Sequence, residues 1–331
     1  MKYVKDFLFY LFVMTLYHIL RGRPIRDRYN IFRWIAKLVY AGSKGNRERI
    51  LQNIALIRPD LFENEIKEGG MKVVETIAMS WAAMIGTEKT DEDEVRRTIT
   101  VVGIEPTLKQ IRNGVRCIAT SVYVGPVDGM IGIALLYRLK VYIVVEAMKP
   151  KWLLRLILKL RQNFPGVIFV PVEKGVTLAR ASSNLKDGKI VLILVDVFRD
   201  DRNGIECRIG NARVRFPTEP ITLALKNPDA IFVPVFPSWD EKRGEFKTKV
   251  VIGEPFELIR TGNMQYDIES NTRRLIEEVL APHIQRHYSS WMRLLQAKLE
   301  PVEPDQMIDV SRDPVARVEM RMRIQKALTK D

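Results

Sequence analysis

The sequence predicts an α/β fold: a mostly parallel sheet flanked by helices, preceded by a helical layer and an apolar N-terminal helix. Three observations predict it. From about residue 97, short β-rich runs alternate with helix-like segments, and strands spaced by helices pair in parallel with both sheet faces covered. One of these runs, "KIVLILVD", is apolar almost throughout, as suits a strand buried on both faces. Residues 46 to 89 instead carry apolar side chains at helical spacing.

Composition sets the outer limits. With 331 residues, 47% hydrophobic and 28% charged, the chain buries one large core or two modest ones and is not disordered throughout. The 53 Lys and Arg against 40 Asp and Glu leave a formal charge of +13, which favours an anionic partner: nucleic acid, anionic lipid or an acidic carrier protein. Nucleic acid is set aside because the basic cluster lies against an apolar segment, not in a stripe interleaved with aromatics. Cys117 and Cys207 stand far apart in apolar or strand-like surroundings, and read as unpaired core thiols of a reducing compartment. His18, His283 and His287 are the only histidines, so residues 19 to 282 hold neither a His-rich metal site nor a His-dependent triad.

In chain order, residues 1 to 28 read as a membrane anchor with a basic flank. The apolar run Phe7 to Leu20 would reach about 21 Å as a helix, short of a hydrocarbon core of about 30 Å. A cleavable signal peptide needs small residues after such a run, whereas "RGRPIRDR" follows, so the anchor is expected to stay. Arg21, Arg23, Arg26, Arg28, Arg33, Lys37, Lys44, Arg47 and Arg49 stand against Asp27 and Glu48, a balance that favours an anionic cytoplasmic leaflet by about 1 kcal/mol per well-placed charge. A solvated basic helix face is the alternative. Residues 29 to 95 read as a helical subdomain, with Gly69-Gly70 as a break between two helices.

Residues 96 to 300 are the α/β domain. Strands are expected at "TITVVGI", "VRCIATS", "KVYIVVEA", "VIFVPV", "KIVLILVD", twice within "IECRIGNARVRF", at "AIFVPVF", and as an antiparallel partner at "EFKTKVVIG". A long helix is expected from about Met264 to Leu299, and residues 301 to 331 form a polar, basic, Pro-interrupted tail. No internal repeat appears.

Ligands of open α/β sheets bind beyond the carboxyl ends of strands, and three such ends are polar here. After "VRCIATS" comes "VYVGPVDG": Gly125 permits a turn, Pro126 suits a helix start, and Asp128 falls in the first helical turn, where the dipole favours an acid whether or not it is functional. After "KIVLILVD", the loop Asp196 to Gly204 mixes acids with Arg199 and Arg202, and reads as a substrate-facing loop, a solvated turn or, less readily, a metal site, since the arginines already balance the charge. In "VPVEKG", Glu173 and Lys174 follow a strand, and a lysine there can hold a phosphate. No GxSxG elbow, GxxxxGK[ST] loop, GxGxxG fingerprint or HExxH motif occurs.

The order of these pieces resembles the lipid A late acyltransferases, the bacterial lysophospholipid-acyltransferase-like family. The resemblance runs from the N-terminus to about residue 300: "NRERILQNIALIRPDL", "VVGIEPTLKQIRNGVRCIATS", "VYVGPVDG", "KIVLILVD", "FPTEPITLALKNPDAIFVPVF", then "HIQRHYSSWMRLLQAKL" with its Trp. It implies a glycerolipid-acyltransferase-like fold at the cytoplasmic face of a bacterial inner membrane, without a metal or other cofactor. It also implies acyl carrier protein or acyl-CoA as donor, a glycolipid or lysolipid as acceptor, and the late acylation of lipid A as the type of reaction. The family motif pairs a His with a downstream Asp or Glu: the His takes the acceptor hydroxyl's proton and the acid orients the imidazolium. Gly125 and Asp128 match that motif, but Tyr123 holds the His position. An ordinary Tyr, with a pKa near 10, is a poor base at neutral pH. Tyr123 is therefore a packing residue in a non-catalytic relative, a residue that positions substrate, or an activated phenolate. The implied catalytic pair is Tyr123 and Asp128, with Gly125, Lys174, Asp196, Arg199 and Arg202 at the substrate. An inactive relative that binds lipid or a protein partner is the alternative.

Overall fold

Each β-rich run becomes a strand, and the alternation of its buried side chains shows why the sheet must be covered twice. A computed structural model describes residues 2–85, 91–146, 150–161, 164–173, 175–196, 204–240, 247–308 and 314–326. The strands are β1 (Ile99–Val102), β2 (Arg116–Ser121), β3 (Val141–Val145), β4 (Val167–Pro171), β5 (Ile190–Leu194), β6 (Ile205–Ile209), β7 (Ala212–Phe216), β8 (Ala230–Trp239), β9 (Thr248–Ile252) and β10 (Glu300–Pro301). Seven form the main sheet in the order β1-β9-β8-β2-β5-β3-β4. From β8 to β4 all pairings are parallel, with Ala119 opposite both Leu192 and Val233; β9 runs antiparallel to β8, as expected, and β1 parallel to β9. The remaining three strands make a small antiparallel sheet, β10-β7-β6.

Successive side chains of a strand point to opposite faces. Ile118, Val144, Val191 and Ile193 enter one hydrophobic cluster, whereas Cys117, Ala119, Val145, Leu192 and Leu194 enter another. Helices α6 (Ile104–Arg112) and α7 (Asp128–Tyr137) cover the second face. Helices α9 (Thr177–Lys186) and α10 (Glu219–Leu225) cover the first, while α5 (Glu92–Thr98) packs on α7 and α8 (Lys151–Arg161) links β3 to β4. Both cysteines are buried and unpaired.

Helices α1 (Lys2–Leu20), α2 (Ile25–Gly42), α3 (Lys44–Ile57) and α4 (Glu63–Met84) precede the sheet. Leu20, Tyr29, Ile54 and Val73 lie in the same cluster as Val144 and Val191, so this layer and the sheet share one core. Gly69-Gly70 is not a break, since both glycines lie inside α4. A Cβ on Gly69 would stand 2.5 Å from the Tyr288 ring, and one on Gly70 2.7 Å from Leu51. The pair permits close packing of neighbours, which outweighs its poor helix propensity.

The expected N-terminal anchor is not found as a membrane-crossing helix. Residues 2–20 do form a helix, yet no helix among the described residues is long and apolar enough to cross a membrane. Lys2, Lys5 and Asp6 occupy its first turns, and at its other end Leu20 is wholly buried in the core. Phe7, Leu8 and Phe12 remain exposed. Of the nine basic residues that follow, Arg28 is buried and donates to the Ala82 carbonyl (3.1 Å).

The long C-terminal helix is also interrupted. Helix α11 (Met264–Arg274) runs into a π-helical turn (Leu275–Leu280) and then α12 (Ala281–Arg286). Pro282 lacks the N–H that a continuous α-helix would use, and the wider turn stands just before it. Two 3-10 turns follow, Tyr288–Ser290 and Met292–Leu295, with Trp291 extended between them. That change of backbone carries residues 290 to 293 to the carboxyl ends of β2 and β5. Beyond β10, α13 (Pro314–Lys326) packs against α12 and holds the α3–α4 turn: Arg321 contacts both Asp60 (3.3 Å) and Glu65 (2.8 Å).

Candidate active site

The chain turns sharply as it leaves β2, and Gly125 makes the turn. Its φ is +62°, and a Cβ there would meet the Ser238 backbone at 3.3 Å. The 3-10 segment fixes the turn from outside. Gly125 N–H donates to Ser290 O and Met292 N–H to Tyr123 O, each at 2.9 Å, and Val124 bridges Trp291. Asp196, two residues beyond β5, fixes it from below: its Oδ2 accepts from Tyr123 N–H and from Trp291 Nε1–H, both at 2.8 Å. The Asp196 side chain is wholly buried. Burial raises its carboxyl pKa, against the opposing pull of Arg293 and of these two hydrogen bonds.

Asp128 is the first residue of α7 and pairs with Arg161 at 2.8 Å. Arg161 ends α8, and both side chains are largely enclosed, at 12% and 14% exposure. The motif acid therefore rests on a guanidinium. Tyr123 lies under a second one, with Arg293 Cζ 4.3 Å from its ring centroid. A cation at that distance is held by the ring quadrupole. Arg293 also donates to Glu146 Oε2 (2.7 Å) and Gln296 Oε1 (2.9 Å). Burial raises the Tyr123 phenol above its ordinary value, outweighing Arg293 and Arg161, which lower it; Asp196 and Glu146 push it up further. The phenol is thus protonated at neutral pH.

Tyr123, Arg161 and Arg293 open on a cleft of about 160 Å³ between α4, α8 and the 3-10 segment. Tyr123, Glu146, Arg161, Arg293 and Gln296 form its polar wall, while Ile77, Trp81, Met84, Leu154, Ile157 and Leu158 form its apolar one. The apolar wall continues toward α1, because Met84 and Ile157 belong to a cluster against which Val13 and Tyr17 pack. A larger cavity, about 420 Å³, is lined by Val144 where the cleft is lined by Val145, and so opens on the other sheet face, away from Tyr123 and Asp128.

Of the residues singled out from the sequence, Tyr123, Gly125, Asp128 and Asp196 meet here. Glu173 lines the larger cavity and pairs with Arg180 at 2.8 Å. Lys174, Arg199 and Arg202 lie outside the described residues. Among the described residues no group of three His, Cys, Asp or Glu is placed to hold a metal. Sequence reasoning missed Glu146, Arg161 and Arg293. Arg161 is one of four basic residues of α8, Arg293 stands within a 3-10 turn and Glu146 just after β3, so no local pattern marks any of them as part of a site.

The chain matches the bacterial lipid A biosynthesis acyltransferase family over residues 1–298. A comparison with curated proteins returns no match. Among solved structures it is similar to the 1-acyl-sn-glycerophosphate (LPA) acyltransferase PlsC from Thermotoga maritima, at 14% identity and a TM-score of 0.33, over 77% of this chain and 98% of that one. With the family match spanning α1, the sheet and the segment that carries Trp291 and Arg293, the chain belongs to the bacterial lipid A biosynthesis acyltransferase family.

Proposed function

We propose that the protein transfers a fatty acyl chain from acyl carrier protein or acyl-CoA to a hydroxyl of a glycolipid or lysolipid, as in the late acylation of lipid A, at the cytoplasmic face of a bacterial inner membrane. The observation that carries this reading is the cleft: an apolar wall suited to an acyl chain meets a polar wall of Tyr123, Glu146 and two arginines at the motif position. Tyr123 supplies a neutral O–H donor. Arg161, held by Asp128, places positive charge beside the carbonyl that must become an oxyanion. Membrane association is supported by the exposed Phe7, Leu8 and Phe12 of α1 and by Arg21, Arg23 and Arg26 beyond it, all exposed.

The second reading is an inactive relative that binds lipid or a protein partner. Two observations favour it: no histidine occupies the motif position, and the motif acid is neutralised by Arg161. Labelled acyl carrier protein or acyl-CoA, offered with bacterial lipid extract to wild type, Tyr123→Phe, Tyr123→His and Asp128→Ala, separates the two. Transfer by wild type that is lost in Asp128→Ala supports the enzyme. Transfer only by Tyr123→His supports a decayed site.

A further inference from the structure

An acyl transfer from a thioester to a hydroxyl needs a group to take the hydroxyl proton, and the motif position does not provide one. The Tyr123 phenol is protonated, and its ring is covered by Arg293. Asp128 does not line the cleft and is held by Arg161. Asp196 has no exposed surface, and its Oδ2 already accepts two hydrogen bonds. His283 is buried, with its Nε2 on the Pro237 carbonyl at 3.0 Å. Glu146 differs from all of these: it stands directly after β3, lines the cleft with Tyr123, and keeps 35% of its side chain exposed.

From this arrangement we infer that Glu146 is the general base of the acyl transfer and Arg293 the residue that positions it. Arg293 is only 8% exposed and is fixed on three sides, by the Tyr123 ring at 4.3 Å, Gln296 at 2.9 Å and Glu146 Oε2 at 2.7 Å. It binds one carboxylate oxygen through a single nitrogen, so the carboxylate has a second oxygen to present to an acceptor hydroxyl. In the reaction, the acceptor oxygen bonds to the thioester carbon while the hydroxyl proton passes to Glu146 and the carbonyl electron pair moves to oxygen. Collapse of that intermediate breaks the C–S bond. The leaving thiolate recovers the proton from Glu146, so the enzyme ends unchanged and the products are an ester and a free thiol. Tyr123 then has a role without titrating: its ring seats Arg293, and Arg293 seats the base. The inference rests on the acyl-transfer reading.

The test is transfer from labelled acyl-CoA and acyl carrier protein to bacterial lipid extract by wild type, Glu146→Gln, Glu146→Asp and Arg293→Lys, with thermal unfolding of each to confirm folding. The expected loss in kcat/KM is about 10²- to 10⁴-fold for Glu146→Gln, the range for removing a general base, with partial activity in Glu146→Asp. The wild-type profile should fall toward acid pH with the slope of one proton, and Glu146→Gln should lose that dependence, which a merely structural role would leave in place. Arg293→Lys should lower kcat more than it raises KM. Active wild type with Glu146→Gln unchanged, or with its acid limb intact, overturns the assignment of the base alone. A folded wild type that transfers nothing from either donor overturns it together with the acyl-transfer reading.

Discussion

Asp128 stands at the head of α7 with Arg161, not an imidazole, against its carboxylate. Removing one partner of such an enclosed pair leaves the other charge with little water, at a cost of about 3 kcal/mol. Asp128→Asn should therefore lower stability by about that much in urea unfolding, and Asp128→Asn with Arg161→Met should recover part of it. Asp196 makes a similar prediction: Trp291→Phe removes one of the donors to its buried carboxylate and should cost about 1–3 kcal/mol. At this scale Tyr123, Gly125 and Asp128 were legible because the motif is local, within six residues of chain. Arg293 and Glu146 were not, because they are 147 positions apart and nothing near either one announces the other.

Elements built on hydrophobic periodicity were largely legible, and the misreadings occurred where tertiary packing overrode a local rule. The strand runs became strands because apolar, β-rich segments have both sheet faces to fill. Gly69-Gly70 was read as a break because glycine is a poor helix former, but α4 runs through both and uses them for contact with Tyr288 and Leu51. Gly69→Ala should therefore destabilise the protein by about 1–3 kcal/mol through overpacking. Gly45→Ala in α3, where a Cβ meets nothing within 4 Å, should stabilise it by about 0.4–1 kcal/mol. Chemical denaturation of both variants decides the point: a stabilised Gly69→Ala would mean that helix propensity, and not close contact with Tyr288, governs that position. The C-terminal segment failed for a different reason. Its helical periodicity continues to Leu299, but the chain leaves the helix at Arg286 to place Trp291 against Asp196, a demand set by the site.

Across the whole molecule the sheet, the N-terminal helices and the 3-10 segment share buried residues, so conditions that loosen one should disturb the others. His283 and His287 lie in this shared region. Burial, then His287 and Arg286, hold His283 well below the ordinary imidazole value; burial, then Arg286 and Lys249, bring His287 to about 4. An unfolded imidazole takes its proton near pH 6.5, so between 6.5 and 4 the unfolded chain holds more protons than the folded one. The stabilisation is complete above about pH 6.5 and is lost as the pH falls toward 4, by about 3 kcal/mol from His287. Urea unfolding at several pH values should show that decline, and His287→Asn should make it shallower, with His283 carrying the remainder.

The exposed face of α1 bears on the proposed membrane association. Because Leu20 and Arg28 are buried, deletion of the N-terminus would damage the core, whereas Phe7, Leu8 and Phe12 can be altered without it. Wild type should sediment with phosphatidylglycerol vesicles, less so in high salt, and replacement of these three by Ser should release it.

Whether a cleft without a motif histidine still moves an acyl chain separates the enzyme from the inactive relative. Mass spectrometry of lipid extract incubated with the purified full chain and acyl-CoA or acyl carrier protein tests this most directly. A lipid that gains the mass of the donor's acyl group, with release of an equal amount of free thiol, is the predicted result. Lipid and donor both unchanged, with a protein that unfolds cooperatively, would contradict it.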